Sequence, residues 1–234
     1  IAKALDYPAS STSALLHSLV ELGYLSTDYG GRTFRPTARV ALLGSWISTP
    51  LFRDGGIHRM MEDLNQRTGE TVILGIQTGI VARYIHVVQG FNPMRLYVKP
   101  GAIRPLASSG VGRLFLSRYE DDELRRIFLR LNSTRTEGEP AIDLRELLAD
   151  IELIRERGYA VSFDRITPGA GVVAAMLPGG GDERPLAIGV GGHSSVIRSR
   201  HEEFAKHIRD TVNLHFSTLE GVSPPTAKMG RSNA

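Results

Sequence analysis

The first 36 residues carry two helix signals, a proline break between them and a tight hairpin, and few small folds satisfy all four at once. Ile1-Ala2-Lys3-Ala4-Leu5 reads as a short helix with apolar positions at Ile1, Ala4 and Leu5. Pro8 interrupts it, because proline lacks an amide proton and restrains Tyr7 to extended geometry. Ser10 or Ser11 is expected to cap the next helix through its hydroxyl. That helix should carry Leu15, Leu16, Leu19, Val20 and Leu22 on one side and end at Gly23 in the left-handed conformation. Residues 24–27 and 33–35 read as two short strands around Asp28-Tyr29-Gly30-Gly31, a hairpin turn.

Beyond this unit, residues 37–46 resume a helical pattern through Val40, Leu42 and Leu43. Ser48-Thr49-Pro50 and Asp54-Gly55-Gly56 then break it, which places a domain boundary there. An amphipathic helix through Met60, Met61 and Leu64 ends near Gly69. Strands are expected at 71–77 and 81–88, joined at Thr78-Gly79, with a third at 95–98. Helices are expected at 109–119, 122–131 and 143–157, the last ended by Gly158. Strands follow at 159–163, 171–177 and 186–190, with Gly179-Gly180-Gly181-Asp182 as a turn before the last. A long helix at 200–219 and a polar tail close the chain. The class is α+β, an antiparallel sheet with flanking helices. The domains read as 1–36, a linker helix and loop at 37–55, a larger domain at 56–220 and a tail at 221–234.

The 234 residues are 41% hydrophobic and 23% charged, enough apolar side chain to bury a core without a disulfide or metal staple. Cysteine is absent, which excludes a disulfide framework and a thiolate zinc site and fits a reducing cytoplasm. A net charge of +3 is compatible with nucleic acid but too mild to be a footprint. No apolar run approaches the roughly 20 residues that span a bilayer, so no membrane partner is expected. The chain opens at Ile1, inside what reads as a helix, so the first unit is expected to begin upstream.

The run from Ile1 to Leu25 resembles the helix-turn-helix of IclR-family transcriptional regulators. Its ending Glu21-Leu22-Gly23-Tyr24-Leu25 is shared by many winged helix proteins, and three later segments narrow the likeness. Gly69-Glu70-Thr71-Val72 looks like the start of the family's sensor sheet. Pro105-Leu106-Ala107-Ser108-Ser109-Gly110-Val111-Gly112-Arg113 resembles its strand-to-helix element beside the effector. Gly158-Tyr159-Ala160-Val161, followed by Gly169 and Val173-Ala174-Ala175, matches its sensor signature. The resemblance implies a winged helix-turn-helix joined to a GAF-like effector domain, assembly as a dimer or a dimer of dimers, and double-stranded operator DNA as a partner. The chain departs from the family where a lysine is often found at Ala9 and an arginine at Ala14, and near the effector at Ser162, Gly189 and Gly191.

If the second helix enters a major groove, Ser10, Ser11, Thr12, Ser13 and His17 are the DNA-contact candidates, though capping or solvation explains them as well. Arg32 and Arg35 on the wing suit phosphate, because guanidinium forks match phosphate oxygens. The effector site, by resemblance, gathers Gly110, Val111, Ser162, Asp164, Gly189 and Gly191, with Val172 and Ala174 as further apolar wall. Free amides at the start of the helix near Gly110 favour an anion, and glycines in the last strand allow close approach of a ligand. Helix packing at Gly110 and Gly112 and a bulge at Gly189 and Gly191 explain the same residues without a ligand. His86 reads as a buried, hydrogen-bonded histidine, and His201 and His207 lack the spacing that would pair them on a metal. No catalytic, cofactor or metal motif emerges. The expected function is DNA binding controlled by a small carboxylic acid, aromatic by the apolar character of the site. Two other readings stay open: a small-acid enzyme using Asp164 and His193, and a sensor acting through protein partners alone.

Overall fold

Asp6, with φ 51°, turns the chain out of α1 (Ala2–Leu5), and Pro8 starts α2 (Ala9–Glu21). The computed structural model describes residues 1–28, 30–31, 33–43, 55–134, 141–178 and 185–220. It divides into two units, Ile1–Gly55 and Gly56–Ala234.

Pro8, not a serine, occupies the N-cap of α2, with φ −55° and ψ 134° and no side-chain cap. This corrects the expected capping role of Ser10 and Ser11, which lie inside the first turn. Proline needs no amide partner and its ring already sets a helix-compatible φ, so the helix starts at Ala9, ahead of both serines. The Pro8 carbonyl accepts from both the amide and the hydroxyl of Thr12, each at 3.0 Å. Thr12 is thereby the buried residue of α2, while Leu15 and Leu22, expected inside, are more than half exposed at 59% and 56%. Gly23 leaves the helix at φ 75°, and β1 (Leu25–Thr27) pairs antiparallel with β2 (Phe34–Pro36), Ser26 opposite Arg35. Asp28 organises the turn between them, accepting from the amides of Gly31 and Thr33. Tyr29 and Arg32 lie outside the described residues. α3 (Ala38–Leu43) follows, with Arg39 donating to the Leu22 carbonyl at 2.9 Å.

The second unit is built on six antiparallel strands in the order β5-β4-β3-β8-β7-β6. These are β3 (Thr71–Thr78), β4 (Val81–Val88), β5 (Ile103–Pro105), β6 (Ala160–Phe163), β7 (Ala170–Met176) and β8 (Leu186–His193). α4 (Gly56–Thr68) and α8 (Ser194–Glu220) pack on each other and on the sheet, burying Met60, Met61, Leu64, Phe204 and Ile208. α5 (Gly110–Leu116), α6 (Asp121–Ser133) and α7 (Leu144–Arg157) form a core with Ile73, Tyr84, Ala160, Ala174 and Ala187 of the sheet. α7 is bracketed by its own chemistry: the Asp143 carboxylate accepts from the amides of Arg145 and Glu146, and Gly158 leaves at φ 78°.

Two expectations are corrected. Residues 95–98 form no strand, and the third strand is β5 (Ile103–Pro105). The 95–98 segment is held by side chains instead: the Thr71 hydroxyl donates to the Leu96 carbonyl at 2.6 Å, and the Gln89 amide donates to the Val98 carbonyl. The closing helix begins at Ser194, directly on β8, rather than at residue 200. The Ser194 amide donates to the Gly169 carbonyl at 2.8 Å, so the strand passes into the helix without a loop. The expected turn at 179–182 and the tail from 221 lie outside the described residues.

Candidate functional site

The seat of α5 builds the site. Ser109 caps the helix, its hydroxyl accepting from the Gly112 amide at 3.0 Å and donating to the Pro105 carbonyl at 2.8 Å. Gly110 brings the helix start hard against the sheet: a Cβ there would lie 2.8 Å from Ser162 Oγ and 2.9 Å from Val172 Cγ1. Beside this contact opens a small cleft, with an interior of about 50 Å³. Ile73, Leu96, Val98 and Val172 give it an apolar floor, Tyr84, Arg104, Ser109 and Ser162 supply polar groups, and Arg165, Ile166 and Thr167 close one side. Among the described residues no carboxylate lines it.

Two guanidinium groups reach the cleft from opposite edges of the sheet. Arg104, on β5, lies over the Tyr84 ring at 5.4 Å and makes no ion pair among the described residues. Arg165, in the loop after β6, pairs with Glu146 at 2.7 Å and Asp150 at 2.9 Å. The same two carboxylates hold the buried Arg113, whose Nε donates to the Ala107 carbonyl at 2.6 Å. Hydrogen bonding to Arg165, with its charge, holds the Glu146 carboxyl below the usual range, and burial pushes the Arg113 guanidinium down. Among the described residues, Arg113 and Arg165 are matched by Glu146 and Asp150, while Arg104, whose Nη1 donates to the Ile103 carbonyl at 3.0 Å, has no acid partner.

Tyr84 is 5% exposed, and burial pushes its hydroxyl up to about 12, opposed by the Arg104 charge. The folded state therefore holds this proton more tightly than the unfolded chain. Its contribution to stability is complete below pH ~10 and decays as pH rises towards ~12, a loss of roughly 2–3 kcal/mol. Urea titrations from pH 9 to 12 should show the parent losing that much more than Tyr84→Phe. Parallel curves would place Tyr84 in contact with water.

Of the eight expected effector residues, Gly110, Ser162 and Val172 line this cleft, and five do not. Val111 is core, its side chain 3.2 Å from where a Gly75 Cβ would stand. Asp164, at φ 55°, accepts from the Gly169 amide at 2.7 Å and so shapes the turn that carries Arg165. Ala174 and Gly189 are cross-strand partners inside the sheet, and Gly191 packs behind the lining against Leu96. Arg104, Tyr84 and Arg165 were missed. Arg104 directly precedes Pro105 of the motif and Arg165 follows Asp164, but only the fold gathers them. The pair Asp164 and His193 is engaged separately, His193 with the Ser195 hydroxyl at 2.8 Å.

On the first unit, Ser10, Ser11, Ser13 and His17 are exposed on α2, and Arg35 is exposed on β2. Thr12 is turned inward to Pro8, which corrects its expected contact with a base edge. His17 Nδ1–H donates to the Ser13 carbonyl at 2.8 Å, and the ring meets Phe34 edge-on. His86 is half-buried and hydrogen-bonded to His58 at 3.0 Å; burial, then the neighbouring ring, lowers its pKa. Among the described residues no cluster of three metal-ligating side chains occurs, and no helix is long and apolar enough to cross a membrane.

Comparison with known proteins matches both units. The family model described as bacterial transcriptional regulator IclR C-terminal matches residues 56–214, and the IclR helix-turn-helix domain matches residues 1–28. The chain is 27% identical over 195 residues to the HTH-type transcriptional regulator BhcR of Paracoccus denitrificans, covering 82% of this chain and 69% of that protein. It is 28% identical over 240 residues to the HTH-type transcriptional repressor AllR of Salmonella typhimurium, covering 97% and 84%. Among solved structures, an IclR transcriptional regulator from Alicyclobacillus acidocaldarius aligns at TM-score 0.66 and 22% identity, over 94% of this chain and 88% of that one. Thermotoga maritima IclR aligns at TM-score 0.64 and 22% identity, over 93% and 88%. At those identities the structures speak for the fold alone.

Proposed function

The chain belongs to the IclR family of bacterial transcriptional regulators, and from that premise we propose that it binds operator DNA through its first unit under control of a monocarboxylic acid held in the cleft. The observation that supports the ligand is Arg104: a guanidinium with no acid partner among the described residues, over the Tyr84 ring in a cleft that no described carboxylate lines. A single net positive charge balances one carboxylate. The floor of Ile73, Leu96, Val98 and Val172 suits an aromatic or longer aliphatic body better than a two- or three-carbon oxo-acid. A small oxo-acid needs a partner for each polar atom, and each one buried without it costs about 1–3 kcal/mol. Calorimetry on the parent and Arg104→Gln tests this. Benzoate should bind the parent and bind Arg104→Gln at least ~10-fold more weakly. Heat from glyoxylate or pyruvate with none from benzoate would overturn the reading.

On the DNA side, α2 carries no lysine or arginine, and Ala9 and Ala14 stand where cations would meet phosphate. Phosphate contact then rests on the wing. Arg35→Ala should weaken binding similarly for every duplex and reduce the salt slope by about 1, read by gel shift across a salt series. The protein acts as a symmetric dimer or tetramer on a near-palindromic site. The uncharged α2 also supports a second reading, a sensor working through protein partners, which operator binding by the full-length protein would remove.

A further inference from the structure

A second basic site lies outside the cleft. A groove of about 330 Å³ follows the edge strand β6 and is lined also by residues of α7 and α8. Ser162 and Arg165 line both groove and cleft and so form the wall between them. Asp150 is the acid in the groove, and Arg113 and Arg165 already hold it. That leaves Arg157, Arg198 and His201.

Each arginine is held by an aromatic ring. The Arg157 guanidinium lies 5.0 Å from the Tyr159 ring centroid while its Nε donates to the Tyr159 carbonyl at 2.6 Å. Arg198 lies 4.2 Å from the Phe163 centroid, and its acid neighbour, Asp164, stands 3.7 Å away with both side chains well exposed. His201, one turn beyond Arg198, shares a hydrogen bond of 3.3 Å with the Tyr159 hydroxyl and lines the same groove. Each ring face attracts its guanidinium and restricts where that cation can go.

We propose that this groove is a second anion site, distinct from the cleft, that takes the phosphoryl group of a small metabolite. A carboxylate is satisfied by one guanidinium fork. A phosphoryl group has three terminal oxygens and close to two charges at neutral pH, and it uses several donors set around it. Edge strands are also guarded by charged residues against pairing with other chains. A guard needs only charge, whereas each of these arginines lies over an aromatic ring and both line one groove with His201.

The test is calorimetric titration of the full-length protein with pyrophosphate, beside sodium chloride at matched ionic strength. The parent should bind pyrophosphate saturably. Arg157→Gln/Arg198→Gln should bind it at least ~10-fold more weakly, and Arg157→Lys/Arg198→Lys should fall between. Arg104→Gln should bind it as the parent does, which separates groove from cleft. Urea midpoints equal to the parent's would show that the variants are folded. Three results overturn the proposal: chloride reproducing the heat, loss of binding in Arg104→Gln, or a folded glutamine double variant that binds pyrophosphate as the parent does.

Discussion

Gly112→Ala is expected to destabilise the second unit by about 3 kcal/mol or more, lowering its melting temperature by roughly 6–12 °C. A Cβ at this position would stand 2.3 Å from the Leu106 carbonyl oxygen, 2.4 Å from its Cα and 2.7 Å from its carbonyl carbon. All three are backbone atoms, so no rotamer change relieves the clash. The helix would have to lift, and all seven residues of α5 are buried. Lifting it also breaks the cap from Ser109 Oγ to the Gly112 amide and the Arg113 bond to the Ala107 carbonyl. Gly191→Ala is the control: its Cβ would meet the end of the flexible Leu96 side chain at 3.0 Å, which can move, so the cost should stay under about 1 kcal/mol. Thermal melts of both variants decide the matter. A Gly112→Ala protein melting within about 2 °C of the parent would show that α5 is not seated on the 105–109 segment as described.

This seat also marks where the sequence is legible and where it stops. Pro105 through Arg113 is local chemistry, a proline, a serine cap and two glycines within nine residues, and it announces a helix pressed against a strand. α7 is legible for the same reason, since Asp143 and Gly158 bracket it with a cap and a left-handed exit. The cleft is legible only where it borrows that local signal, at Gly110, and at Ser162 and Val172, which face it across paired strands. Arg104 and Arg165 leave no such trace. They sit at opposite edges of a six-stranded sheet, and only the strand order that places β5 and β6 outermost brings them to one opening. Gly189 and Gly191 failed for a related reason. A glycine in a strand signals a close approach without saying whose, and here the approaching groups are Ile73 and Leu96. Thr12 failed because Pro8 starts α2 one residue ahead of the serines and turns a different face inward.

Asp150→Asn should cost about 2 kcal/mol, and adding Arg165→Met should recover part of that loss. Asp150 is the partner shared by Arg113 and Arg165. Arg113 is buried, so removing its neighbouring charge leaves a cation that water cannot reach. Breaking a fully buried pair costs about 3–5 kcal/mol, but the Asp150 side chain keeps 31% of its exposure, which lowers the figure. The remaining acid, Glu146, stands 3.6 Å from Arg113 and is 54% exposed, too distant and too wet to replace it. Two guanidinium groups would then share one carboxylate, and the Arg165 charge already disfavours the charged form of Arg113. Removing Arg165 restores one cation to one acid. The double variant should therefore be more stable than Asp150→Asn alone by about 1 kcal/mol, although Arg165→Met by itself removes two ion pairs. Urea unfolding of the parent, both single variants and the double variant measures this coupling directly. Costs that simply add would mean that Arg113 and Arg165 do not compete for Asp150, and that the charge on the cleft's rim is set independently of the charge beneath α5.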